Sequence, residues 1–164
     1  MTLDTSNPFA QRSTLEYELP HFAQIKEEHY LPAFYAGCEE QLAEVEAIIN
    51  SGEPTFENTL VALEKTGLTL GRMLMVFYNK SSSDTNDALD KIEEEMAPKL
   101  AAHSDAIRLN PNLFARIKKI YEERASLNLN AEDMNLLEKY YTDFLHAGAH
   151  LSETEREELK KLNE

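Results

Sequence analysis

Apolar residues recur at helical intervals along most of the chain. From about His29 onward, Leu31, Tyr35, Cys38, Leu42, Val45 and Ile49 fall on one stripe of a helix that tolerates Pro32 in its first turn, and "NSGEP" ends it. The next stretch, "TFENTLVALEKTGLTLGRMLMVFYNK", carries Phe56, Leu60, Leu63, Gly67, Leu70, Leu74 and Phe77 at alternating spacings of four and three. Val61, Leu68, Met75 and Val76 lie elsewhere on that cylinder, so one long helix, apolar on more than one side and central to a bundle, is expected. After "SSSD", Asp84 with Asp87 three later reads as the cap of a third helix. Its stripe is Leu89, Ile92, Met96, Leu100, His103 and Ile107, and Pro98 should kink it. Asn110 and Pro111 start a fourth helix, "LFARIKKIYEERA": the asparagine is a side-chain cap, and proline lacks a donor that position does not need. Asn130 caps a fifth, with Met134, Leu137, Tyr141, Phe144 and Gly148 as its stripe, and Ser152 with Glu155 forms a capping box for a sixth.

The opening is different. In "STLEYELPHF", Leu15, Tyr17 and Leu19 alternate with polar residues and Pro20 forbids a helix, so residues 1–27 read as an extended arm lying on the helices. The fold class that follows is all-α: a bundle of about six helices over residues 28–164 behind an extended N-terminal arm. The sixth helix has no stop signal after Leu162, so the chain reads as cut in mid-helix.

Composition narrows the function classes. A chain of 164 residues suggests one domain, and 42% hydrophobic with 28% charged residues is the make-up of a folded protein. Thirty acidic against sixteen basic residues give a net charge of -14, which repels phosphate backbones and anionic headgroups. Nucleic acid and membrane are therefore not expected partners. No run approaches the ~18 to 20 apolar residues of a membrane span, and "MTLDTSNPFAQ" has neither a basic leader nor an apolar signal core. With Met1 as the native start, this is the pattern of a cytoplasmic protein. Cys38 stands alone among apolar helix positions and reads as a buried, inert thiol.

One constellation invites a chemical reading. His146 and His150 are four apart in "LHAGAHL", the spacing at which a helix offers two imidazoles to zinc. In the zincin pattern H-E-x-x-H a glutamate acts as general base, but Ala147 holds that place here, and no downstream segment supplies a third ligand. On a helix the two histidines also lie opposite the apolar stripe. Asp143 shares their face, leaving adventitious ion binding by Asp143, His146 and His150 as the open alternative to a solvated flank. His103 lies in an apolar stripe and reads as a hydrogen-bonded core histidine, Met73 and Met75 as core before pliable binding surface, and clusters such as "KIEEEM" as solvated faces. No catalytic, cofactor-binding or metal-ligating residue is assigned.

Taken together, N-P-F, S-T-L-x-Y, H-Y-x-P-A-F, F-x-N-T-L-x-A-L-E, T-N-D and G-A-x-L, in this order from Asn7 to Asn163, resemble the amino-terminal region of the bacterial peptidyl-dipeptidases of the thimet oligopeptidase family of zinc metallopeptidases. The resemblance implies a fragment of the neurolysin-like helical channel fold, in which a deep channel runs between two mostly helical halves. It implies a parent enzyme that uses zinc to remove dipeptides from the carboxyl ends of oligopeptides. The H-E-x-x-H motif and the glutamate ligand of that family lie far downstream, so the fragment alone is expected to be inactive and to bind no zinc; separately from the resemblance, a monomer is expected. The histidine pair falls where the family has L-x-x-G-A-x-L and is not part of that pattern. Two alternatives stand beside this reading: an oligopeptidase of the same family that cleaves internal bonds, and a self-standing helical protein-interaction module. The S-T-L-x-Y opening favours the peptidyl-dipeptidases.

Overall fold

Helices form where the apolar spacing places them, and among residues 3–163, which the computed structural model describes, there is no β-strand. The elements are α1 (Tyr30–Ile49), a π-helical turn (Glu57–Val61) running into the short α2 (Ala62–Glu64), α3 (Leu68–Ser83), α4 (Asp87–Arg108), α5 (Pro111–Glu123), α6 (Ala131–Ala147) and α7 (Glu153–Asn163). The expected all-α class is found. The single long helix expected over "TFENTLVALEKTGLTLGRMLMVFYNK" is not: it breaks at Gly67, whose φ of +70° is one that side-chain-bearing residues rarely adopt. The reason lies in burial. Leu63 belongs to one hydrophobic core and Leu70 to another, so the continuous apolar stripe serves two cores in succession. The chain divides accordingly into two compact units, where length alone suggested one.

The first unit comprises residues up to Gln41 together with Gly67–Leu100. Its core gathers Phe9, Tyr30, Phe34, Met73, Phe77, Leu89 and Met96. The Tyr30 ring lies 5.6 Å from Phe9 and 5.2 Å, edge-on, from Phe77, arrangements that suit aromatic quadrupoles. The arm expected to be extended makes three single-turn 3-10 helices (Glu16–Glu18, Phe22–Gln24 and Glu27–His29), and Leu15, Tyr17 and Leu19 all stay exposed. What fixes the arm is Asn7, itself buried. Its Oδ1 accepts from the Phe9 N–H at 3.0 Å and its Nδ2 donates to the His29 carbonyl at 3.0 Å, which seats Phe9 in the core. Gly37 lets α1 and α3 touch: a Cβ there would lie 2.8 Å from the Leu70 backbone nitrogen. At the start of α4 the cap is Asn86, whose Oδ1 accepts from the Ala88 and Leu89 N–H groups at 3.0 Å each. Asp84, the expected cap, pairs instead with Lys80. Pro98 lies within α4 without ending it.

The second unit comprises Leu42–Thr66 and the residues from Ala101 onward. Three start signals act as the sequence predicts. Asn110 accepts from the Asn112 and Leu113 N–H groups, Asn130 from that of Asp133, and Ser152 and Glu155 cap each other's backbone. The core packs Val45, Phe56, Leu60, Ile117, Leu137 and Phe144, flanked by stacked rings: Tyr121 on Tyr141 at 3.8 Å and Tyr141 on Phe114 at 5.9 Å. Into this core α5 inserts Arg116, which is 6% exposed. Its Nε donates to Thr59 Oγ1 (3.2 Å), Nη1 to the carbonyls of Ile49 (3.3 Å) and Gly52 (2.7 Å), and Nη2 to Ser51 Oγ (2.7 Å) and Asn58 Oδ1 (2.9 Å). Burial pulls its pKa below the usual arginine value while the nearby Glu53 pushes it up, and none of the five direct partners is charged. His103 is buried in α4, and burial lowers its pKa below the usual 6.5.

Two measurements test this account. Arg116→Lys keeps the charge but supplies three donors where five are used, so some of the buried oxygens lose their partner; a loss of about 2–4 kcal/mol is expected in urea unfolding. A midpoint unchanged from the parent would remove the guanidinium from its assigned role. For His103 the folded state resists protonation more than the unfolded state does, so the unfolded chain binds the extra proton as pH falls. Its contribution to stability is full above 6.5 and is lost as pH drops through 6.5 toward the lower folded-state value. His103→Gln should therefore lose less stability than the parent on acidification across that window. Parallel pH profiles for the two proteins would refute it.

Candidate functional site

A concavity lies in the first unit, where the arm passes over one face of α3. Arg72, Met75, Val76 and Asn79 stand three, one and three residues apart, so they line a single helix face, and arm residues from Pro8 to Ile25 close the other side. The groove encloses about 450 Å³. Its rim is unusually apolar for a surface: Tyr17 is 86% exposed, Met75 70%, Leu19 55% and Phe22 50%. Such a cluster marks a place where something binds more often than chance exposure does.

The arm keeps its shape here through local contacts. Tyr17 and Glu18 both have left-handed backbone angles (φ 56° and 57°), which costs non-glycine residues on the order of 1 kcal/mol each. Ser13 Oγ donates to the Leu19 carbonyl at 2.6 Å, and Arg12 pairs with Glu18 at 2.6 Å. Arg72 stitches helix to arm. Its Nη2 donates to the Phe9 carbonyl at 3.2 Å and to Thr69 Oγ1 at 3.3 Å, and its Nε is buried with no acceptor. Among the described residues no carboxylate pairs with this guanidinium. Sequence reasoning passed over Arg72 and placed Tyr17 only in the alternating pattern of the arm. A signal was available for the first, since Arg72 is the single charge in the apolar run "LTLGRMLMVF".

The other flagged residues fall out differently. Met73 is fully buried, as expected, whereas Met75 leaves the core and lies on the groove rim. Cys38 is half-buried, not fully buried, against the first core, and burial pushes its thiol up to about 11, which suppresses the reactive thiolate. The helical premise of the histidine pair does not hold. The helix α6 stops at Ala147, Gly148 takes a left-handed φ of 98°, and His150 belongs to the following turn. His146 and His150 are both exposed, and Asp143 pairs with Lys139 at 2.9 Å, an interaction that lowers its pKa. Among the described residues no group of three or more His, Cys, Asp or Glu is placed to hold a metal ion. A zinc centre needs at least three protein ligands, so the residues present do not fit one, and no reaction step is assigned to them. No helix among the described residues is long and apolar enough to cross a membrane.

No protein-family model matches the chain. Over 162 residues, 98% of its length, the chain is 41% identical to the dipeptidyl carboxypeptidase of Escherichia coli (strain K12), and over 160 residues it is 41% identical to the dipeptidyl carboxypeptidase of Salmonella typhimurium (strain LT2). A weaker likeness, 24% over 133 residues, links it to Oligopeptidase A of Escherichia coli. The chain spans about a quarter of the length of these relatives: 24% of each dipeptidyl carboxypeptidase and 20% of Oligopeptidase A.

Proposed function

We propose that this chain is the non-catalytic amino-terminal part of a zinc-dependent peptidyl-dipeptidase, a cytoplasmic and monomeric enzyme that removes dipeptides from the carboxyl ends of oligopeptides. The observation that carries the reading is the 41% identity to dipeptidyl carboxypeptidases across nearly the whole chain. Identity to Oligopeptidase A is much lower and covers 80% of the chain, which favours dipeptide removal over cleavage of internal bonds. The sequence contains no H-E-x-x-H, so in this reading the metal and the general base come from residues outside this chain.

What the chain contributes is then shape and field. A helical wall beside a catalytic centre admits an extended peptide and turns away a folded protein by sterics. The net charge of -14 adds a repulsion toward acidic peptides that weakens with salt.

The test is to sequence the coding frame past Glu164 in the source gene and to assay both products on a peptide with a free carboxyl end. The reading expects an H-E-x-x-H helix downstream, with dipeptide release by the longer product, abolished by a chelator, and none by residues 1–164. Release by residues 1–164 alone, or a stop codon at once after Glu164, would overturn it. Cleavage at internal bonds by the longer product would shift the assignment to the oligopeptidase alternative.

A further inference from the structure

We propose that the groove between the arm and α3 is a binding site for a short apolar peptide carrying one carboxylate, with Arg72 as the group that receives the carboxylate. Three observations converge on that chemistry. The volume of about 450 Å³ falls in the range of small-ligand sites, roughly 300–1,000 Å³. Tyr17, Leu19, Phe22 and Met75 offer apolar contact on both sides of it. The third is charge. In a chain of net charge -14 the acidic and basic side chains lining the groove are Arg12, Glu18, His21 and Arg72, beside the phenol of Tyr17, and Glu18 is already engaged by Arg12. The balance is a cationic spot inside an acidic surface.

Arg72 is the specific element. Its Nη2 is held by two neutral oxygens, and its Nε is buried without an acceptor, an arrangement that leaves a desolvated donor unsatisfied. A carboxylate entering the groove gives this guanidinium, whose bonded partners are neutral oxygens, a charged partner, and guanidinium and carboxylate geometries match. Gln11 and Asn79 also line the groove and offer polar partners for peptide amides, which an unbranched fatty acid would not use. Preference for a peptide over other apolar acids rests partly on the peptidase reading; the site itself does not.

The experiment is an NMR titration of the full 164-residue chain, labelled with nitrogen-15, using acetyl-Leu-Phe-Asp-Leu-amide, its Asn counterpart and decanoate. Expected are shifts confined to arm residues 8–25 and the α3 face, with the Asp peptide binding roughly tenfold more tightly than the Asn peptide. Arg72→Gln should erase that difference. Because this change also frees the Phe9 carbonyl, Arg72→Lys is the control, retaining the charge and part of the preference. Met75→Ser should weaken both peptides alike. Equal binding of the Asp and Asn peptides, shifts centred elsewhere, or no saturable shift at about 1 mM peptide would overturn the proposal. Tighter binding of decanoate than of either peptide would retain an apolar acid site and overturn the peptide assignment. None of these outcomes bears on whether the longer protein is a peptidase.

Discussion

A guanidinium surrounded by neutral oxygens is the constraint on which the second unit depends. Arg116 gathers the end of α1, the turn that follows it and the π-helical turn at Glu57–Val61 around one planar group, so that the path of residues 49–59 is fixed by a side chain about sixty residues further along the chain. Desolvating a cation is expensive, and here the cost is offset by using all five N–H donors and by placing the charge against the carbonyl end of α1, where the helix dipole is negative. The apolar residues around it supply burial but not register. Leucines and phenylalanines can slide past one another at modest cost, whereas five hydrogen bonds to a rigid fork cannot all be kept after a shift.

The first unit solves the same problem with an asparagine. Asn7 reads both the Phe9 amide and the His29 carbonyl, and by doing so commits an otherwise irregular arm to one path. Phe9 then completes an aromatic group with Tyr30 and Phe77. Seen this way, the short motifs of the sequence are mainly structural. N-P-F seats the arm, T-N-D caps α4 through Asn86, and F-x-N-T-L brings Asn58 and Thr59 to Arg116.

How much of this the sequence disclosed depended on how local each determinant is. Caps are local: Asn110, Asn130 and Ser152 each satisfy amides two or three residues away, and all three were legible. The helix break at Gly67 was hidden because apolar periodicity continues across it, and only the division of Leu63 and Leu70 between two cores reveals it. Asp84 and Asn86 are both competent caps, and the choice between them was decided by Lys80, which claims Asp84. Arg116's role was not legible at all, and the groove left only the lone charge of Arg72 in its apolar run as a trace. One needs partners about sixty residues away, the other needs an arm and a helix face that meet only in three dimensions. The histidine pair failed for the opposite reason, since a local spacing rule was applied across a helix end that Gly148 imposes.

The π-helical turn carries a further implication. A π turn accommodates one residue more than the α-helix it interrupts, and here the turn follows directly on Phe56, which is buried in the core, and contains Asn58 and Thr59, which accept from Arg116. Removing a single residue from this turn would give a more regular helix by every local measure. It would also rotate Asn58 and Thr59 by roughly 100° about the helix axis, away from the guanidinium. The irregularity therefore acts as a phase adjuster, and insertions or deletions in this segment are felt not by the helix that contains them but by a charged group on a helix some sixty residues further along the chain.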